Sequence, residues 1–124
     1  MAISEDSLGS RLPLLAPDAF DADQQKLYDA LMAKMVPWAN KSGFRADTAD
    51  GRVTGPFNAM LRSPLISQTM LAMISAEGEH TALSERVRQV VILTVGALWR
   101  ADYEPCAYTT VASRPGSTPL PWGL

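Results

Sequence analysis

Histidine and cysteine, two residue types that often carry acid–base, thiol and metal chemistry, each occur once in this sequence, as His80 and Cys106. His80 lies just before a predicted helix, where it is either a catalytic base or an ordinary loop histidine. One cysteine cannot form a disulfide within the chain, and one cysteine with one histidine does not make a metal-binding cluster. The sequence therefore predicts neither a metal nor a cofactor and assigns Cys106 to packing. A reducing, cytoplasmic setting is the default.

Two arginines, Arg86 and Arg88, stand close together at the start of the same predicted helix. Guanidinium groups bind carboxylates through paired hydrogen bonds, so these residues are candidates for holding the carboxylate of a substrate. A solvated helix start, or a salt bridge between subunits, is the alternative that we favour.

The composition is that of an ordinary soluble domain: 124 residues, a net charge of −2 and 47% hydrophobic residues. Weak acidity and the lack of a Lys/Arg run disfavour nucleic acid as a partner. The longest apolar run, from Val90 to Trp99 with Thr94 inside it, is shorter than the ~20 residues of a membrane span, and the N-terminus has no secretory pattern. We expect neither nucleic acid nor a membrane as partner.

The first helix is expected to begin at Asp21. The Asp21 side chain can cap the helix, Gln24 stands three residues later as its reciprocal partner, and Phe20 is placed to pack against the entry. Pro37 ends this helix or kinks it just before. Apolar residues recur at a spacing of three and four: Leu27, Tyr28, Leu31, Met32 and Met35. The two methionines could line a ligand site, but the spacing favours the core.

A glycine-containing loop over residues 40–55 is expected to precede two further helical segments. Residues 56–62 make a short turn or helix, and Ser63 with Pro64 then opens a longer helix that ends near Gly78. Its buried stripe is expected to contain Ile66, Met70, Met73 and Ile74.

The segment from Glu85 to Trp99 is apolar on nearly all sides, which suits either a buried strand or a helix. Its length, the N-cap at Ser84 and the lack of a strand partner elsewhere favour the helix. Such a helix is expected to be buried centrally, often between subunits. Trp38 and Trp99 are expected in the core or at an interface. The predicted fold class is all-α.

Three stretches carry a resemblance to known proteins: residues 11–13 (RLP) with 25–30 (QKLYDA), 55–64 (GPFNAMLRSP), and 83–93 (LSERVRQVVIL) with 101–104 (ADYE). In this order they resemble the carboxymuconolactone decarboxylase family, which includes the alkyl hydroperoxidase D-like proteins. The resemblance implies a helical bundle of the alkyl hydroperoxidase D-like type that forms homo-oligomers, from dimers to trimers of dimers. It also implies either decarboxylation of a lactone acid in aromatic catabolism or thiol-dependent peroxide reduction.

The peroxidase branch of this family uses a Glu, a Cys-x-x-Cys pair and a His four residues beyond it. The corresponding positions are occupied by Gln89, Ala101, Glu104 and Tyr108, so all four peroxidase groups are replaced. Since a thiolate must attack and a second thiol must resolve, peroxidase activity is the least favoured function.

The decarboxylase branch often carries Tyr-Glu-Trp-x-x-His at the same place, and Tyr103 and Glu104 match it. The resemblance implies that Glu104 acts as a general acid or base on a small carboxylated molecule, without a cofactor. Tyr108 stands at the His position, and Pro105 replaces the aromatic residue. Glu104, Tyr108 and His80 are therefore the catalytic candidates.

The predicted organisation is an N-terminal arm over residues 1–17, a helical domain over 18–114 and a proline-rich tail over 115–124. Because family members continue with further helices, we interpret the domain as incomplete and the chain as a C-terminally truncated relative, with the hypothesis that the tail is a frameshift product. In that case the chain is a lyase-type enzyme or, as the second alternative, a catalytically inactive remnant that still oligomerises.

Overall fold

A computed structural model describes residues 12–43 and 45–101, and all structural statements here concern these residues. After a 3₁₀ turn at Pro17–Ala19 come five α-helices, with a π-helical turn at Leu31–Met35 between the first two. The helices are α1 (Ala22–Ala30), α2 (Val36–Lys41), α3 (Gly55–Met60), α4 (Pro64–His80) and α5 (Glu85–Leu98). In the described ranges the only β pairing is an isolated bridge between Asp47 and Val53. The predicted all-α class is confirmed.

The predicted capping box at the start of α1 is present. The Gln24 N–H donates to Asp21 Oδ1 at 2.8 Å, and the Asp21 N–H donates to Gln24 Oε1 at 3.0 Å. Phe20 packs against Tyr28, with the ring centroids 5.2 Å apart. Two backbone donors of the helix start are thereby satisfied locally.

Pro37 does not end the helix, contrary to one of the two expectations, because the chain stays helical to Lys41. The disturbance falls just before the proline and takes the form of the π turn, in which the Val36 N–H bonds to Leu31 O. Proline has no N–H, so residue 37 cannot donate to the carbonyl of Ala33 as an α-helix requires. The wider π hydrogen-bond pattern accommodates this missing donor.

The core lies between α1, the π turn, α2, the loop before α3, and α3 itself. Its fully buried large side chains are Leu27, Leu31, Val36, Val53 and Leu61. Trp38 is also buried, whereas Trp99, expected in the core or at an interface, is 77% exposed. Half-buried Met32 and Met35 pack against the core, as their spacing predicted.

Helix α4 packs against α1, but with a different face from the predicted one. Ser67 and Gly78 are buried and Leu71 is half-buried against the core, whereas Ile66 is 73% exposed and Met73 is 66% exposed. The prediction that Ile66, Met70 and Met73 are buried is therefore wrong for the single chain, and only Ile74 is half-buried. The Ser67 hydroxyl donates to Met60 O at the end of α3, which fixes the buried face of α4 at this point.

Helix α5 begins as predicted, with the Ser84 hydroxyl accepting a hydrogen bond from the Val87 N–H, and the strand alternative is excluded. Central burial is wrong for the single chain, because Val87, Val91 and Leu98 are 44%, 48% and 77% exposed. Its buried residues are Arg88, Gln89 and Gly96. Helix α5 makes no extensive packing contact with another described helix.

The described part of the predicted arm, residues 12–17, lies on α3. Asn58 is buried, and its amide donates to Leu12 O and Pro13 O while its Oδ1 accepts from the Leu15 N–H. Leu15 packs against the core. A terminal nitrogen of Arg62 also donates to Pro13 O, so two side chains anchor this segment on its own chain. Residues 1–11 and the predicted tail over 115–124 lie outside the described residues.

Candidate functional site

Three of the residues singled out for chemistry, Glu104, Cys106 and Tyr108, lie outside the described residues. The described candidates are His80, Arg86 and Arg88. They surround the short connection between α4 and α5 in sequence, since α4 ends at His80 and α5 begins at Glu85.

His80 occupies the last position of α4 and points into solvent. Its side chain is 79% exposed, and its Nε2 lies 4.0 Å from Glu79 Oε2. Water therefore solvates this imidazole, in contrast to the enclosed surroundings that tune a catalytic base.

Arg86 and Arg88 are not brought together by the structure. Arg86 is exposed, whereas Arg88 is 7% exposed. Residues two apart on an α-helix point to nearly opposite sides, since each residue turns the direction by about 100°. The two guanidinium groups therefore do not form a shared carboxylate clamp.

The Arg88 guanidinium is instead held by two glutamates of its own chain. Its Nε donates to Glu77 Oε1 at 3.2 Å, a terminal nitrogen donates to Glu77 Oε2, and the other donates to Glu85 Oε2 at 3.3 Å. These bonds join the end of α4 to the start of α5. The hydrogen bond with Glu77 raises the pKa of Arg88, and the same bond lowers the pKa of Glu77.

Gln89 lies beside this ion-pair cluster and is also buried, at 6% exposure. Its Nε2 donates to Glu85 Oε1 at 2.6 Å, while its Oε1 accepts no hydrogen bond from the described residues. Through its hydrogen bond to Glu85, Gln89 extends the polar cluster at the α4–α5 junction.

Sequence reasoning missed both glutamates of this cluster. Glu85 and Arg88 stand at the i, i+3 spacing of a helical ion pair, a signal that was available. Glu77 comes from the preceding helix, so only the fold brings its carboxylate to Arg88.

The α5 stripe is a row of exposed apolar side chains along one face of the last described helix. It consists of Val87, Val91, Val95 and Leu98, which are 44–77% exposed. A second row, the α4 stripe, consists of Ile66, Met70 and Met73, which are 40–73% exposed. Most side chains of both rows keep about half or more of their surface in water, and such exposed apolar surface on a protein marks a contact site.

A groove between the π turn and α4 is a further concave feature. Its volume is about 290 Å³, and its lining includes Ala33, Lys34 and Met35 from the π turn and Leu71, Ala72 and Ser75 from α4. The sequence contains one signal for this groove, because Met35 is a residue that could line a ligand site. The helical spacing of the methionines favours the core instead.

Comparisons with protein families, with curated proteins and with solved structures find no match to this chain. Within residues 12–43 and 45–101, no helix combines the length and apolar character that crossing a bilayer requires. The same ranges contain no group of three or more His, Cys, Asp or Glu residues arranged to hold a metal ion.

Proposed function

We propose that this protein functions as a homo-oligomer in which the α5 stripe is the main contact between copies. The observation that carries this proposal is the exposure of Val87, Val91, Val95 and Leu98 on a helix without a pronounced contact to another described helix. The partner is a second copy of the chain.

The physical reason is the cost of leaving these side chains in water. Fully burying a valine or leucine contributes roughly 1.5–3 kcal/mol, so a half-exposed one still gains about 1 kcal/mol on covering. In a dimer with twofold symmetry the same surface of both copies forms the interface, so the apolar rows of one copy pack against those of the other.

Gel filtration with light scattering tests this assembly. We expect wild-type protein to have the mass of a dimer or a larger oligomer, up to a trimer of dimers, and the double variant Val91→Lys/Leu98→Lys to be monomeric. Both positions are exposed in the single chain, so circular dichroism should show unchanged helix content. Gln25→Lys, at an exposed position of α1, is the matched control and should leave the mass unchanged. A monomeric wild-type protein at tens of micromolar contradicts the proposal.

For activity, we propose carboxymuconolactone decarboxylase-like, cofactor-free lyase chemistry on a small carboxylated molecule, with Glu104 as general acid or base and Tyr108 as a second catalytic residue. Its support is the sequence match at Tyr103 and Glu104. A catalytically inactive oligomer is the second candidate, favoured by the engagement of Arg88 in ion pairs within the chain.

The activity proposal is tested by CO₂ release from a panel of small lactone carboxylates. We expect Glu104→Gln to abolish turnover with folding and oligomer mass intact, and Tyr108→Phe to reduce it. His80→Asn is the control and should have little effect, because this side chain is solvated. Assembly without turnover of any substrate supports the inactive oligomer. Hydroperoxide reduction that is lost in Cys106→Ser contradicts both proposals and supports a thiol peroxidase.

A further inference from the structure

We propose that the groove between the π turn and α4 binds a small molecule with a compact apolar body and one carboxylate. None of the residues that line the groove belongs to the ion-pair cluster at Arg88, and none is a residue that the family resemblance assigns to catalysis. The inference therefore stands independently of the proposed function.

The shape of the groove results from small residues on both of its walls. Ala33 and Ala72 leave room that longer side chains would fill, and half-buried Met35 and Leu71 supply apolar contact surface. Methionine adapts its conformation to irregular ligand shapes. A volume of about 290 Å³ is just below the ~300 Å³ at which the range for ligand pockets begins, so the ligand is small, such as one aromatic ring with a short substituent.

The charge of the lining selects an anion. Lys34 is the only charged residue of the lining, and no carboxylate is among the lining residues. Within the described ranges Lys34 makes no ion pair, so its ammonium group is available to a ligand. Ser75 adds a hydroxyl donor on the opposite wall. A lysine and a serine among otherwise apolar lining residues match a carboxylate joined to a ring.

The π turn gives a second reason for a ligand site at this place. It contributes Ala33, Lys34 and Met35 to the groove. π turns within helices occur frequently at functional sites, because they displace side chains from the regular helical register. Pro37 favours this turn by lacking the N–H that an α-helical turn would use.

The groove and the proposed oligomer contact use opposite sides of α4. Leu71, Ala72 and Ser75 line the groove, whereas the α4 stripe lies about half a helical turn away. Ligand binding and self-association can therefore be tested separately in the same full-length protein.

Titration with benzoate, followed by NMR of the methionine methyl groups, tests the proposal. We expect a saturable shift of the Met35 methyl signal with a Kd of about 1 mM, and no shift at Met73 on the opposite side of α4. Benzamide, which has the same shape without the charge, should bind about fivefold more weakly.

Two pairs of variants separate charge from shape. Lys34→Gln should weaken benzoate binding about fivefold and remove the preference for benzoate over benzamide, whereas Lys26→Gln, on α1, should change neither. Ala72→Leu should fill the groove and abolish binding of both compounds, whereas Ala76→Leu, one turn further on, should not. All four positions are exposed, so these variants should keep the fold.

A shift at Met73 without one at Met35, equal binding of benzoate and benzamide, or unaltered binding to Ala72→Leu would each overturn the proposal. A monomeric protein that still binds benzoate through Met35 would overturn the proposed assembly and leave the ligand site supported.

Discussion

At the scale of single residues, the two neighbouring arginines differ entirely in their surroundings. Arg86 is exposed to solvent, while Arg88 is buried and makes ion pairs with Glu77 and Glu85. The glutamates remain 46% and 35% exposed in their side chains, so water screens part of this interaction. The contribution of these ion pairs to the free energy of unfolding therefore lies between that of an exposed ion pair and that of a fully buried one.

Replacing Arg88 by Met should lower the free energy of unfolding by about 1–2 kcal/mol at neutral pH, because two carboxylates lose their counter-charge. Urea denaturation measures this loss, and Arg86→Met is the control, with an expected change within about 0.5 kcal/mol. Equal effects of the two substitutions would contradict the assigned ion pairs.

The stabilisation by Arg88 should also depend on pH. Arg88 holds the pKa of Glu77 below its ordinary value in the folded protein. The pair therefore stabilises fully above the ordinary glutamate pKa and loses its effect as the pH falls through the lowered one. The stability difference between wild type and Arg88→Met should narrow in urea titrations below about pH 4. A difference that stays constant down to acid pH would exclude Glu77 as the partner.

At the scale of elements, a hydrogen bond between Tyr28 and the backbone of Gly51 connects the loop before α3 to α1. Gly51 has a φ of +83°, and its carbonyl accepts a hydrogen bond of 2.9 Å from the Tyr28 hydroxyl. A Cβ added at this position would lie 3.2 Å from that hydroxyl oxygen. Burial raises the pKa of Tyr28, with a smaller contribution from nearby Asp47, so the hydroxyl stays protonated as a donor.

Gly51→Ala should therefore reduce stability by about 1–2 kcal/mol, through backbone strain and the contact with Tyr28. Thermal unfolding measures the effect. The same substitution in a Tyr28→Phe background should cost less, since the crowded oxygen is gone, and the double-mutant comparison isolates that part. An unchanged melting temperature for Gly51→Ala would show that the loop tolerates a side chain here.

At the scale of the whole molecule, the apolar surface is divided between a small core and two exposed rows. The core belongs to the region from α1 to α3, whereas the α4 and α5 stripes face solvent in the single chain. Covering these rows by a second copy would couple folding to association.

The melting temperature should accordingly rise with protein concentration, because association stabilises the folded state by mass action. Differential scanning calorimetry over a hundredfold concentration range measures this dependence. Val91→Lys/Leu98→Lys should melt at one temperature throughout the range. A wild-type melting temperature that is independent of concentration would count against the oligomer.

Local interactions decide where the helices begin, and these were predictable from the sequence. The capping box at Asp21, the Ser84 cap and the first-turn Pro64 involve groups within a few residues of each other, so their outcome hardly depends on the rest of the fold. The all-α class follows from the same signals.

Tertiary structure alone decided which faces of those helices are covered. Ile66 and Met73 have the spacing of a buried stripe, yet the small residues Ser67 and Gly78 face the packed side of α4. Likewise, Arg88 finds Glu77 only because α4 and α5 meet end to end. Periodicity specifies that a helix has an apolar face, but burial depends on which surfaces come near it, and those surfaces come from distant parts of the chain.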